Sequence, residues 1–235
     1  MATTLRPLEV DIWTAEGPIV SFYTFAYPTR MVVVRLADGG LWLWSPIALT
    51  DDLVAETTAL GDVRHLVSPN PLHHLYLSQW KAAFPHARIW GPPSTIDKRR
   101  DLHFDGALTD DAPPDWAGQI DQVLFGGSLM MEEVVFFHRA SRTAILADLS
   151  ENLSEDFLAR HWSPWRRRLA RLWRITEPWG WAPLEWRLSF TDRRRARRAA
   201  ERIIAWDAEK VVVAHGPLQT ENGRAYLERA LSWIV

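Results

Sequence analysis

Three short apolar runs in this chain each end on a side chain that can bind a proton or a metal. Arg64 to Val67 leads into Ser68-Pro69-Asn70-Pro71-Leu72-His73-His74, Thr143 to Ala147 ends on Asp148, and Val211 to Ala214 ends on His215. Short apolar runs bounded by turn residues read as buried strands. Open α/β sheets carry their chemistry at the carboxyl ends of strands. The pattern therefore predicts one site where three strand ends converge.

The intervening sequence supports layers of strands and helices. Ile19 to Thr24, Met31 to Leu36 and Leu41 to Ser45 read as an antiparallel meander with a turn at Ala37-Asp38-Gly39-Gly40. Asp51 to Leu60 reads as a helix capped by Thr50 or Asp51, and Leu75 to Phe84 as a second helix with Leu77, Trp80, Lys81 and Phe84 on one face. Arg88 to Trp90 is a strand, and the polar stretch 92–120 a long surface connection. Strands resume at Ile120 to Phe125, Glu133 to His138 and Thr143 to Ala147. A helix from Asp192 to about Trp206, a strand from Lys210 to Ala214 and a helix from Gly223 to Ile234 complete the chain. Two β-rich stretches, each running into βα units, predict a four-layer αββα sandwich, mixed α+β and α/β in character. The expected organisation is a single domain over 1–235, with a Trp/Arg-rich helical insertion at about 150–190.

Composition narrows the chemistry. With no Cys among 235 residues, thiol catalysis, disulfides and thiolate zinc sites are excluded. A net charge of −2 gives no global case for nucleic acid. The N-terminus has no apolar h-region and no segment approaches a membrane span, so a cytoplasmic protein is expected. No phosphate-binding Gly-rich loop or Gly-x-Ser-x-Gly elbow occurs. What remains is imidazole and carboxylate, the usual borderline ligands for Zn²⁺, Fe or Mn in a thiol-free protein. A lone His is more often a structural residue, but four potential ligands at the ends of three runs shift the balance toward a site.

These residues resemble the metallo-β-lactamase superfamily over roughly residues 8 to 235. The order is a β-meander, a His-bearing loop after a strand, the hairpin Val134 to Asp148, and Val213-Ala214-His215-Gly216. The resemblance implies Asp148 in the place of the family's metal-bridging Asp and His215 in that of its last ligand. It departs at the family's His-x-His-x-Asp-His motif. Aligned there, Pro69 and Pro71 replace the first two His, His73 the Asp, and His74 the last His. The family's Gly-His ligand has no counterpart in Phe125 to Met131, where Ser128 or Leu129 takes its approximate place. More narrowly, the Pro-Asn…His-His spacing resembles an uncharacterised branch of the superfamily, labelled only a domain of unknown function. The resemblance thus implies that the first metal site of the family is stripped and the second kept as His73, His74, Asp148 and His215.

The resemblance implies a metal-dependent, hydrolase-like protein, a mononuclear metallohydrolase, holding one divalent ion, Zn in first place and Fe or Mn otherwise, with a small-molecule substrate. Four protein ligands would close a tetrahedral shell, whereas a catalytic ion needs an open position. The ion would then take extra ligands and activate water, or be structural, or one His would serve as acid/base. The competing class is an inactive relative that uses the fold as a binding module. That reading draws on Ser163 to Ile175, where Trp165, Leu169, Leu172 and Trp173 follow helical spacing among five arginines. Such a helix suits peripheral contact with an anionic membrane or a partner, or else packs its Trp face on the fold.

Other polar residues have blander readings. Asn70 is a candidate for orienting a ligand or stabilising an oxyanion, against a simple turn role between two prolines. Glu132 and Glu133 are candidates for a base but read first as an exposed strand end, His138 reads as an exposed hairpin residue, and Asn152, within reach of the pocket mouth, as a solvated helix start. His65, His86, His103 and His161 read as structural or exposed.

Overall fold

The computed structural model describes residues 5–235. Strands β1 (Arg6–Glu9) and β2 (Ile12–Glu16) are followed by a small hairpin, β3 (Val20–Phe22) and β4 (Phe25–Tyr27), then by β5 (Arg30–Arg35) and β6 (Leu41–Trp44). Helix α1 (Asp51–Leu60), β7 (Val63–Val67), α2 (Leu77–Ala83), β8 (Arg88–Gly91), α3 (Pro93–Lys98) and β9 (Gly106–Ala107) complete the first half. Its seven-stranded sheet has the order β1-β2-β5-β6-β7-β8-β9. Pairing is antiparallel up to β6 and parallel from β6 onward.

The second half contains β10 (Ile120–Phe125), β11 (Glu133–His138), β12 (Thr143–Glu151), α4 (Glu155–His161), α5 (Pro164–Trp173), α6 (Leu184–Leu188), α7 (Arg193–Ala205), β13 (Lys210–His215) and α8 (Gly223–Ala230). Its four strands pair in sequence order, and only β12 and β13 run parallel.

Strand periodicity sorts side chains between the layers. In β5 and β6, Val32, Val34, Trp42 and Trp44 face the inner core. Met31, Val33, Leu41 and Leu43 face outward, against Leu53 of α1 and Leu77 and Trp80 of α2. The small sheet mirrors this. Val134, Phe136, Ile145, Ala147, Val212 and Ala214 join the inner core, while Val135, Phe137, Ala144, Leu146, Val211 and Val213 pack on α7 and α8. The result is a four-layer αββα sandwich, as the sequence implies. Each fully buried Val, Ile or Leu in it stabilises the fold by about 1.5–3 kcal/mol.

Three expectations fail locally. The strand expected at Ile19 to Thr24 breaks into the β3–β4 hairpin, because Tyr23 and Thr24 turn back at φ 45° and 69° without a glycine to announce it. The expected surface connection 92–120 holds a helix and a short strand and buries Leu108 and Trp116 in the inner core. The expected Trp face of α5 splits. Ala170 is buried and Trp173 packs with Leu158, Trp162, Phe25 and Tyr27, but Trp165 is 60% and Leu172 76% exposed. Among the described residues, no helix is long and apolar enough to cross a membrane.

Candidate metal centre

His73 lies in the loop after β7, Asp148 within β12 and His215 at the end of β13. Parallel pairing of β12 with β13 holds through Leu146–Val213 and returns only at Glu151–His215. The extra residues on β12 bulge there, which re-aims its side chains and frees Asp148 from the ladder. Ligand atoms of His73, Asp148 and His215 all lie within 4.8 Å of one another. His73 Nε2 is 3.3 Å from Asp148 Oδ2, and His215 Nε2 is 3.3 Å from Asp148 Oδ1. Corners of a tetrahedral shell with bonds of ~2.0–2.1 Å stand about 3.3 Å apart, so the spacing fits a small divalent ion.

The ring orientations are fixed from behind. His215 Nδ1 donates to the Pro28 carbonyl at 2.6 Å, because a carbonyl can only accept. In neutral His215, Nε2 therefore carries a lone pair and faces an anionic oxygen. Two acceptors at that distance need a cation or a proton between them. His73 Nδ1 meets Ser45 Oγ at 2.6 Å, and the His73 ring stacks on Trp44 with centroids 5.8 Å apart. Anchored second nitrogens of this kind orient imidazole ligands. Ser45 holds its hydroxyl there at φ 50°, a left-handed backbone that a non-glycine residue rarely adopts.

Further contacts hold the end of β13. The buried Arg30 donates to the carbonyls of Val213 and Gly216 and pairs with Glu16. Gly216 has φ +137°, and a Cβ there would lie 2.0 Å from the Asn152 carbonyl oxygen, so the step after His215 requires glycine. Burial works to raise the Asp148 carboxyl, but His73 and His215 override it and hold it well below the usual carboxylate range.

Below the triad lies a closed polar network. Asn70 Nδ2 donates to Asp148 Oδ2 at 2.7 Å and to Glu133 Oε2 at 2.9 Å. Its Oδ1 accepts from the Leu72 and His73 amides. Glu133 accepts further N–H bonds from Ala147, Asp148 and Leu149. Burial, then the charge of Asp148, pushes Glu133 up to about 8, against these donors.

Of the four residues proposed from sequence as ligands, the structure assembles three and leaves out His74. Consecutive residues of a turn send their side chains in different directions. His74 Nδ1 lies 3.1 Å from Arg99 Nη1, which also donates to the His74 carbonyl. Burial, then Lys98 and Arg99, lower the His74 pKa to about 4.

Asn70 orients Asp148 and also closes the turn, but both of its N–H groups are engaged, leaving none for an oxyanion. Glu133 is fully buried, not an exposed strand end, and His138 is buried with Nδ1 2.7 Å from Ser141 Oγ. Asn152 is buried, with its amide on the His215 carbonyl. Ser128 Oγ turns to Ser189, and Leu129 is exposed, so neither supplies the missing ligand. Glu133 and Ser45 were the missed supports. Their only sequence signals are an acid opening an otherwise apolar strand and a hydroxyl closing one.

The triad opens into a cavity of about 480 Å³. Its walls include Phe22, Tyr27, Leu72, Met130 and Trp186, with Glu151 and Glu185 on one side. Tyr27 packs edge-on to His215 at 5.3 Å.

Solved structures share this architecture at low identity. The DIM-1 metallo-β-lactamase exposed to ceftazidime aligns with TM-score 0.67 and 13% identity, covering 99% of this chain and 96% of that one. A metallo-β-lactamase from Pontibacter korlensis gives TM-score 0.66 and 14% identity, covering 99% of both chains. The FIM-1 metallo-β-lactamase from Pseudomonas aeruginosa, in its mono-zinc form, gives TM-score 0.62 and 12% identity, covering 100% of this chain and 95% of that one. The likeness is distant and consistent, and at this identity it establishes the metallo-β-lactamase fold alone. No curated protein matches the sequence. The family described as a domain of unknown function (DUF4336) matches residues 10–162, and the chain belongs to it.

Proposed function

We propose that the chain is a mononuclear metal-dependent hydrolase-like protein, with His73, Asp148 and His215 as the protein ligands of one divalent ion. The observation that carries this is the paired approach of two Nε2 atoms to the two oxygens of one buried carboxylate, with both Nδ1 atoms anchored elsewhere. Nitrogen and oxygen donors suit Zn²⁺ best, with Fe or Mn as alternatives. Three protein ligands leave a tetrahedral position open, which a fourth imidazole from His74 would have closed. A structural neighbour known in a mono-zinc form is compatible with a single ion on this fold. When bound, such an ion lowers the pKa of a coordinated water and polarises a carbonyl or phosphoryl oxygen.

The surrounding residues prepare that position. Ser45 and the Pro28 carbonyl hold the two imidazoles, and Asn70 fixes the Asp148 carboxylate. Tyr27, Phe22 and Trp186 enclose an apolar chamber for a small-molecule substrate.

Metal analysis of protein purified without added metal tests the proposal. About one ion per chain is expected, lost in His73→Ala and His215→Ala and retained in His74→Ala. Metal-free wild-type protein would overturn it. That outcome would favour a second reading, a binding module in contact with a surface through α5. The exposed Trp165 and Leu172 among arginines support that alternative.

A further inference from the structure

Among the described residues lining the cavity, Glu151 is the buried acid whose side chain makes no hydrogen bond. It is 2% exposed, lines the cavity, and its Oε2 has no hydrogen-bond partner among the described residues. It also falls outside the ligand cluster of His73, Asp148 and His215. A buried carboxyl oxygen without a donor is costly, and no group of the described residues supplies one.

The charges around it share its sign. Three carboxylates line the cavity, Asp148, Glu151 and Glu185, against one lysine, Lys98, whose Nζ already donates to the Pro71 carbonyl. We infer that Glu151, with the exposed Glu185 and the Tyr27 ring lining the same cavity, forms a subsite for an ammonium group on a substrate with an apolar body. An ammonium supplies the missing N–H donor, offsets the excess negative charge and can lie against an aromatic face. The apolar remainder of the ligand is matched by Phe22, Leu72, Met130 and Trp186.

The inference deepens the proposed function by giving its substrate class, and it rests on reading this cavity as the substrate chamber. Its test is independent of the metal. Binding of n-hexylammonium and of n-hexanol is measured by calorimetry on the full chain, after chelation of metal and again with zinc added. Wild-type protein should prefer the ammonium by about tenfold or more in the chelated state. Glu151→Gln should reduce that preference to about twofold, with folding and metal content unchanged.

Equal binding of the two probes by wild-type protein overturns the inference without any variant. So does a preference that survives Glu151→Gln, or a loss of metal in that variant, which would make Glu151 a ligand. Glu185→Gln, at an exposed position, should weaken the preference by a smaller factor. Wild-type metal content is read separately, so a failed subsite and a failed metal site give different results.

Discussion

The two sides of Asp148 treat a buried carboxyl in opposite ways. Beneath it, Glu133 accepts four N–H bonds, from Asn70, Ala147, Asp148 and Leu149. In front of it, Glu151 is equally enclosed and its Oε2 accepts none from the described residues. Buried polar groups in native structures are almost always paired. A satisfied one builds the fold, and an unsatisfied one on a cavity wall is available for a ligand. One substitution, Glu to Gln, separates the two roles.

The largest effect belongs to Glu133→Gln. The amide keeps one acceptor oxygen but turns an NH₂ toward backbone or Asn70 N–H donors. At least one of these loses its partner in a dry interior. A loss of about 1–3 kcal/mol in unfolding free energy is expected, read from urea denaturation at a pH above 8, where Glu133 is ionised. A loss below about 1 kcal/mol would mean that the network tolerates a neutral floor and that the contrast with Glu151 is false.

Much of the architecture is legible because strands buried on both faces read as short continuous apolar runs bounded by turn residues. Met31-Val32-Val33-Val34 feeds two cores alternately, and β10 and β11 end where their apolar runs end. The ends of the runs also located His73, Asp148 and His215. Two kinds of information were missing. Which of two adjacent histidines points inward depends on turn geometry and on Arg99, distant in sequence. The importance of Glu133 depends on a pairing between β11 and the bulged end of β12. An acid opening a strand looks like a solvated edge unless its partner strand is known. Edge strand β1 also escaped, because its mostly exposed side chains carry no apolar alternation.

A second test asks whether the satisfied logic of the floor extends to the imidazoles in the core. His65 is buried, and its Nδ1 accepts from Trp90 Nε1 at 3.1 Å. An indole only donates, so this nitrogen must stay unprotonated. Burial, then Arg88, lower the His65 pKa from 6.5 to about 4. Below pH 6.5 the unfolded chain therefore takes up a proton that the fold refuses. The stability contribution is fully present above pH 6.5 and is lost as pH falls toward 4, amounting to roughly 3 kcal/mol at the lower limit. His65→Gln retains an acceptor for Trp90 and should flatten this part of the pH profile. If denaturation of the variant at pH 7, 5.5 and 4.5 gives the wild-type slope, His65 is not the group responsible.

The smallest effect completes the comparison and has the opposite sign to the first. Glu151 is raised above its ordinary 4.5 by burial, then by Asp148 and Glu185. A raised folded pKa favours the fold below pH 4.5, and that advantage is lost as pH rises toward the folded value. Near neutrality, the ionised unfolded chain gains solvation that Glu151 lacks in the fold. Gln has a similar shape and no charge to desolvate, so Glu151→Gln should leave stability unchanged or raise it by on the order of 1 kcal/mol at pH 7. The gain should vanish near pH 4, where the unfolded glutamate is itself protonated. A destabilisation at pH 7 matching that of Glu133→Gln would show a hidden structural partner for Glu151. The two sides of Asp148 would then obey the same rule, and the wall facing the cavity would have no carboxyl left free to recognise a cation.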